Sequence, residues 1–249
     1  MLRCLELFSG TKSVGKCCDE LGWESVSVDM LLPADHQVDI MDFDYKQYPQ
    51  DHFDVIWASP PCTNYSHLKK CWLGRELKGE IYTIEKNLKE QDEADLLVLK
   101  ALEIIEYFNP PAWFLENPQT SNLKNREIMK GIPFHDVDYC MYSDWGYRKR
   151  TRIWTNKEDW AGKLCDGSGA CGNMLNSKQH NKVLANGYEM IDGKKVVCNT
   201  KAKRDALRHT KTATGGSTKI GGEWVAKGTT NQLDRYRIPS DLIFSLFLD

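Results

Sequence analysis

"LRCLELFSGTKSVGKCCDELGWESVSVDM", Leu2–Met30, is the stretch from which the fold can be read. Its first residues, "LRCLELF", are an apolar run of strand length. "SGTKSVG" interrupts that run with turn-forming residues. "KCCDELG" then fits a short helix closed by Gly22, and "WESVSVDM" alternates as a second strand ending at Asp29. A strand, a glycine-bearing turn, a helix and another strand make up the repeating unit of parallel sheets.

The same rhythm continues downstream. "DHQVDIMDFD" suggests a short third strand, and "FDVIWA" a fourth that is apolar throughout. Residues 64–90 carry mixed charge without a clear period, which predicts a mobile or partly helical loop. "EADLLVLKALEIIEYF" has apolar residues at helical spacing and must stop before "NPP". "AWFLEN" reads as a fifth strand. "DVDYCMYSDWG" and "TRIWTN" predict two more, with "YRKR" between them. The expectation is an α/β domain on a parallel-rich sheet over residues 1–156. Residues 157–230 break the pattern: they hold 11 of the 18 glycines, many lysines and few apolar runs. That composition predicts a small loop-rich insertion. Residues 231–249 include "IPSDLIFSLFL", read as a helix returning to the main domain.

The 249 residues are 41% hydrophobic and 27% charged, which fits a globular chain and excludes a disordered one. No apolar run reaches the roughly 18 residues of a membrane span, so no membrane association is expected. The first residues lack the apolar core of a signal peptide. Nine cysteines, an odd number, then point to reduced thiols in an intracellular protein rather than a disulfide framework. The net charge of −2 hides an asymmetry. Residues 141–230 carry 17 Lys and Arg against 8 Asp and Glu, and the rest of the chain carries 16 against 27. A basic segment on an acidic body suits a polyanion, although a lysine-rich solvated loop would look the same.

Two places invite chemistry. At the first turn, Gly10 and Gly15 let the backbone approach a ligand, and Asp29 follows Phe8 by 21 residues, a spacing suited to ribose hydroxyls. The turn does not match GxGxxG, and an ordinary turn with an ordinary strand-end aspartate fits as well. Asp39 is similarly placed either to meet an adenine amino group or to face solvent. The second place is "SPPCTNYS", Ser59–Ser66. Here a Pro-Pro turn ends the apolar fourth strand and presents Cys62 at a sheet edge.

Four motifs then stand in one order: Glu6-Leu7-Phe8-Ser9-Gly10, Pro61-Cys62-Thr63 with Ser66, Glu116-Asn117-Pro118, and Arg148-Lys149-Arg150-Thr151-Arg152. Over residues 3–156 this set resembles the DNA cytosine 5-methyltransferases, whose motifs read DLFxGxGG, PCQxxS, ENV and QxRxR. The compact form is similar to the short phage and large-virus members. The resemblance implies the Rossmann-like sheet of the S-adenosylmethionine-dependent methyltransferases, with residues 157–230 as target-recognition region. It implies DNA methylation through base flipping, and an association with restriction-modification. Cys62 would be the nucleophile, Glu116 the group at cytosine N3, and Arg150 and Arg152 the cations beside them. S-adenosyl-L-methionine would be held by Phe8, Ser9, Gly10, Thr11, Gly15, Asp29, Met30, Asp39, Ile40 and Pro60. The partner would be DNA, double-stranded, bound by a monomer in the cytoplasm of a microbe or of a virus-infected cell. Lys69, Lys70 and Arg75 would belong to a loop that closes on the DNA.

Several positions depart from the family pattern. Lys12 replaces the second glycine, Thr63 the glutamine and Arg148 the first residue of the arginine motif, and "RYRIPSDL" stands where a Gly-Asn motif is expected. In the insertion, Lys194, Lys195, Lys201, Lys203, Arg204, Arg208, Lys211 and Lys219 suit phosphate contacts. Cys165, Cys171, His180 and Cys198 are the residues a zinc site would draw on. Their C-x5-C spacing is not a usual zinc pattern, and the sequence assigns no metal. Two other readings remain open: an RNA cytosine 5-methyltransferase, and an inactive relative that only binds nucleic acid.

Overall fold

The computed structural model describes residues 1–77, 79–145, 148–176, 179–180, 188–191, 194–197, 216–220, 223–227 and 236–248. Cys198, Lys201, Lys203, Arg204, Arg208 and Lys211, named above, lie outside them. The chain divides into two compact units. One comprises residues 1–137 and 150–162, the other residues 138–149 and 163–249.

The first unit is built on β1 (Arg3–Leu7), β2 (Glu24–Val28), β3 (Val55–Ala58), β6 (Ala112–Pro118) and β8 (Arg150–Thr155). With β7 (Phe134–Asp138) they form one sheet in the order β2-β1-β3-β6-β8-β7. β1 runs parallel to both β2 and β3, and β3 parallel to β6. β8 runs antiparallel to β6. The sheet is thus mostly parallel, and the apolar runs that marked the strands are buried because helices must cover a parallel sheet. α1 (Ser13–Leu21) follows β1 and ends on Gly22, whose φ of 69° closes the helix in the left-handed conformation.

α2 (Ile84–Phe108) is the long helix of the unit. The hydroxyl of Thr83 accepts from Lys86 N–H at its start, and Asn109 closes it with φ 44° just before Pro110. Ala94, Val98, Ala101, Ile104, Ile105 and Phe108 line its buried stripe. They share one core with Leu5, Leu7, Ile56, Ala58, Leu115 and Trp154 from the sheet. The helix starts nine residues before "EADLLVLKALEIIEYF" because its first turns are polar and carry no apolar stripe. Residues 64–83 hold a short 3-10 segment (His67–Trp72) and a two-stranded hairpin of β4 (Glu76–Leu77) and β5 (Glu80–Ile81).

The third strand expected in "DHQVDIMDFD" does not form. One bridge joins Val28 to His36, and Ile40–Asp42 is a 3-10 turn. Aspartates take the local amides: Asp35 accepts from Ser27 N–H at 2.9 Å, and Asp39 from Met41 N–H at 2.9 Å. Such side chains compete with strand pairing. "DVDYCMYSDWG" likewise pairs only as far as Asp138, then turns through a 3-10 segment at Tyr139–Met141.

In the second unit three antiparallel hairpins are described: β9 (Met174–Asn176) with β10 (Gln179–His180), β11 (Tyr188–Ile191) with β12 (Lys194–Val197), and β13 (Gly216–Ile220) with β14 (Glu223–Lys227). α3 (Ser240–Leu248) buries Leu242, Ile243 and Leu246. No described helix is long and apolar enough to cross a membrane.

Candidate active site

The turn after β1 is bent by three left-handed residues in five: Phe8 at φ 57°, Gly10 at 51° and Lys12 at 53°. For Phe and Lys this conformation is costly and persists only when the surroundings enforce it. Two carboxylates provide that enforcement. Asp29, at the end of β2, accepts Gly10 N–H through Oδ2 at 2.8 Å, and Leu31 and Leu32 N–H through Oδ1, each at 2.8 Å. Glu6, on β1, accepts Val14 N–H at 3.1 Å and Gly15 N–H at 2.9 Å at the start of α1. Burial pushes the Glu6 carboxyl up to about 7, against the opposing pull of those two amides. Gly15 is needed for close packing, since a Cβ there would lie 3.3 Å from Glu6 Oε2 and 3.4 Å from Ser25 Oγ.

Within this turn Ser9 is buried and its Oγ has no hydrogen-bond partner. A buried hydroxyl left unsatisfied at a strained turn suits a polar ligand that would supply the missing bond. A Cβ on Gly10 would meet nothing closer than Phe8 O at 3.8 Å, so the backbone there is open to approach. Thr11 Oγ1 is tied to Ser13 Oγ at 3.0 Å. Met30 is exposed, while Ile40 is buried in the core behind the turn. The residues present therefore fit a nucleoside-bearing cofactor such as S-adenosylmethionine.

Cys62 follows β3, the neighbour of β1. Its loop is fixed at several points. Ser59 N–H donates to Leu7 O at 3.2 Å, and Trp57 Nε1 donates to Ser59 Oγ at 2.9 Å. Tyr65 N–H donates to Cys62 O at 3.2 Å. The buried Tyr65 hydroxyl donates to Asp95 on α2 at 2.8 Å, and Arg126 holds the same carboxylate from Nε at 2.8 Å and Nη2 at 2.6 Å. Cys62 is half-buried with a reduced thiol.

Glu116 is buried on β6, one residue past Leu115, which pairs with Ala58 of β3. The carboxyl and the cysteine loop thus leave adjacent parallel strands at the same end. Asn117, next to it, donates from Nδ2 to Pro60 O at 2.9 Å and lashes the Pro-Pro turn to β6. This tether was not foreseen: "ENP" signals a turn, and nothing local says where the amide points.

The two arginines are two residues apart on β8 and so belong to the same face of the sheet. Arg150 starts β8, and its carbonyl accepts from Gln119 N–H at 3.1 Å. Arg152 pairs across the ladder with Asn117, whereas Glu116 pairs with Ile153. Residues directly opposite share a face, and faces alternate along a strand. Arg152 therefore projects from the face opposite Glu116. Its guanidinium grips Asp136 of β7 at 2.8 and 3.0 Å and stacks 3.5 Å from the Phe134 ring centroid. The expected meeting of Arg152 with Glu116 is not what the register gives. Lys69 is buried and bonded to Glu90 of α2 and to Asn64, both at 2.6 Å, so it ties its loop to α2.

A parallel-rich sheet with a strained glycine turn after one strand and a thiol after the next defines the class: the S-adenosylmethionine-dependent methyltransferase fold. Residues 30–144 match the C-5 cytosine-specific DNA methylases. A probable DNA (cytosine-5)-methyltransferase of Frog virus 3 is 45% identical over 177 residues, covering 70% of this chain and 79% of its own. The chain belongs to the C-5 cytosine-specific DNA methyltransferase family. A solved methyltransferase of Entamoeba histolytica shares 11% identity at a TM-score of 0.54, over 99% of this chain and 97% of that one. It shows the same fold. A putative DNA modification methyltransferase from an Escherichia coli prophage aligns at 13% identity and TM-score 0.41 over 62% of this chain. That alignment takes in 46% of the prophage protein, so this chain spans about half its length.

Proposed function

We propose that this protein methylates carbon 5 of cytosine in DNA with Cys62 as the covalent nucleophile. The observation that carries the reading is the adjacency of the Cys62 loop and Glu116 on β3 and β6, fastened by Asn117 to Pro60. Carbon 5 of cytosine is unreactive while the ring is aromatic. Addition of the Cys62 thiolate to carbon 6 breaks the aromaticity and makes carbon 5 enamine-like. Glu116 shares a proton with N3 as the sulfur adds, which neutralises the charge developing on the ring. When bound, S-adenosylmethionine supplies an electrophilic methyl group. Loss of the carbon 5 proton and expulsion of Cys62 then restore the aromatic ring. Since Cys62 cannot reach a base inside a duplex, the base must be flipped out.

The turn from Phe8 to Gly15 would hold the cofactor, with Ser9 Oγ, Asp29 and Asp39 as polar contacts and Thr11, Met30, Ile40 and Pro60 around them. Asp29 keeps lone pairs for a ribose hydroxyl while it braces Gly10. Arg150 starts the strand that pairs with β6, and Arg152 acts through the Asp136 pair, holding β8 and β7 together. The substrate is inferred to be double-stranded DNA, bound by a monomer inside the cell. Residues 157–230 carry its recognition.

A duplex with 5-fluorocytosine at the target cannot lose its ring substituent after methyl transfer. With cofactor it should trap the protein as an adduct that mass spectrometry maps to Cys62. Cys62→Ser should give neither adduct nor methylation, because a neutral alcohol is a far weaker nucleophile than a thiolate. An adduct on another cysteine would overturn the assignment, and methylation of an exocyclic amine without adduct would overturn the chemistry. Calorimetry should show weaker cofactor binding in Asp29→Ala. Unchanged affinity would remove Asp29 from the cofactor site.

A further inference from the structure

Three cysteines of the second unit meet in space. Cys140 lies on the 3-10 turn after β7, and Cys165 and Cys171 lie on the segment that follows β8. Their sulfurs all lie within 4.8 Å of one another, and Cys165 Sγ is 3.7 Å from Cys171 Sγ. A disulfide would need about 2.05 Å. Two thiolates on a tetrahedral zinc ion, each about 2.3 Å from the metal, stand about 3.8 Å apart. The observed pair is therefore at ligand spacing.

The polypeptide around the sulfurs is braced as a metal site requires. The fully buried Asp138 accepts Cys165 N–H through Oδ2 at 2.9 Å, and its own N–H donates to Lys163 O at 3.0 Å. Buried Asn173 places Nδ2 within donating distance of three carbonyls: Cys140 at 2.9 Å, Ser143 at 2.8 Å and Cys171 at 2.8 Å. The stretch from Cys165 to Asn173 turns through Gly169 and Gly172, with Gly172 N–H donating to Gly169 O at 2.9 Å. Cys140 and Cys165 are buried and Cys171 half-buried.

We propose that Cys140, Cys165 and Cys171 bind a zinc ion that clips residues 138–149 to residues 163–173. An all-sulfur set favours zinc over magnesium or calcium, which take oxygen ligands. A fourth donor from outside these three, solvent or side chain, completes the tetrahedron. The sequence pointed to Cys165 and Cys171 but not to Cys140, which lies 25 residues before Cys165 with β8 between them. The three cysteines take no part in the chemistry assigned to Cys62 and Glu116, which belong to the other unit.

The test uses the full chain, expressed in zinc-supplemented medium and purified under reducing conditions without chelator. Elemental analysis should find stoichiometric zinc. Stripping the metal and titrating Zn2+ alone should restore it, with a rise in Tm. Cys140→Ser, Cys165→Ser and Cys171→Ser should each lose the metal or bind it at least 10-fold more weakly. Cys71→Ser, at an exposed cysteine in the other unit, should keep it. Wild-type protein without stoichiometric zinc, and without uptake on titration, would overturn the proposal even if the variants fold poorly. So would full zinc occupancy in the three variants, or a Cys165–Cys171 disulfide in the reduced preparation.

Discussion

Two buried side chains decide how the reactive turns are held, and each has a measurable consequence. Glu6 is 3% exposed and its carboxyl is pushed up to about 7. The unfolded chain loses that proton near the ordinary value of 4.5, while the folded chain keeps it to about 7. Between those values the native state binds more protons, so stability falls as pH rises, then levels off above about 7. The shift corresponds to roughly 3 kcal/mol. Glu6→Gln cannot titrate, so the stability difference between wild type and variant in urea unfolding should fall from pH 5 to pH 7. A difference that stays flat would show that Glu6 is ionised throughout. Asn117 acts on the cysteine loop instead. Asn117→Asp would set a carboxylate against Pro60 O and push the turn away. A displacement of about 1 Å can cost on the order of 100-fold in rate. Asn117→Asp should lower kcat by roughly 10- to 100-fold while leaving cofactor affinity within about twofold. A matched loss of cofactor binding would mean that Asn117 supports the whole sheet edge rather than the Cys62 turn.

Among the elements, α2 transmits order from the core to the Cys62 loop. Asp95 on its buried face takes both the Tyr65 hydroxyl and the Arg126 guanidinium. Removing the arginine strands a carboxylate whose side chain is 11% exposed. Arg126→Ala should therefore cost about 2–3 kcal/mol in chemical unfolding, well beyond a surface ion pair. A loss below about 1 kcal/mol would mean that solvent replaces the guanidinium. The elements differed in how much the sequence revealed. Strands β1, β2, β3 and β6 were legible because apolar runs of strand length are bounded by turns and helices. The start of α2 was not, because "IEKNLKEQD" is solvated and only the Thr83 cap marks it. The third strand failed because Asp39 took a local amide, that of Met41, and Asp35 took the Ser27 amide of β2 through its side chain. Cys62 and Glu116 were legible as motifs whose strands prove to be neighbours. The face on which Arg152 emerges was not, since it depends on the register between β6 and β8. That register is a non-local quantity which no window of sequence contains.

At the scale of the whole chain, charge separates one basic segment from an acidic remainder. Residues 141–230 carry 17 Lys and Arg against 8 Asp and Glu, and the remainder is acidic. An acidic body repels DNA, so affinity must come from the basic segment. Lysine-rich binding works by displacing counterions from phosphates, and the logarithm of the binding constant then falls linearly with the logarithm of salt concentration. If about six phosphates are neutralised, the slope is about −5, and affinity falls by about three orders of magnitude between 50 and 200 mM salt. Charge reversal separates this electrostatic account from base readout. Replacing Lys201, Lys203, Arg204 and Arg208 by glutamate should weaken binding to all duplexes alike and flatten the slope, while cofactor affinity stays unchanged. Deleting residues 190–222 should abolish DNA retention altogether. Fluorescence anisotropy with target and non-target duplexes across a salt series measures both effects. A slope near zero in the intact protein would mean that its hold on DNA does not come from the basic segment. A charge-reversed variant that loses only its preference for the target would assign those residues to base recognition.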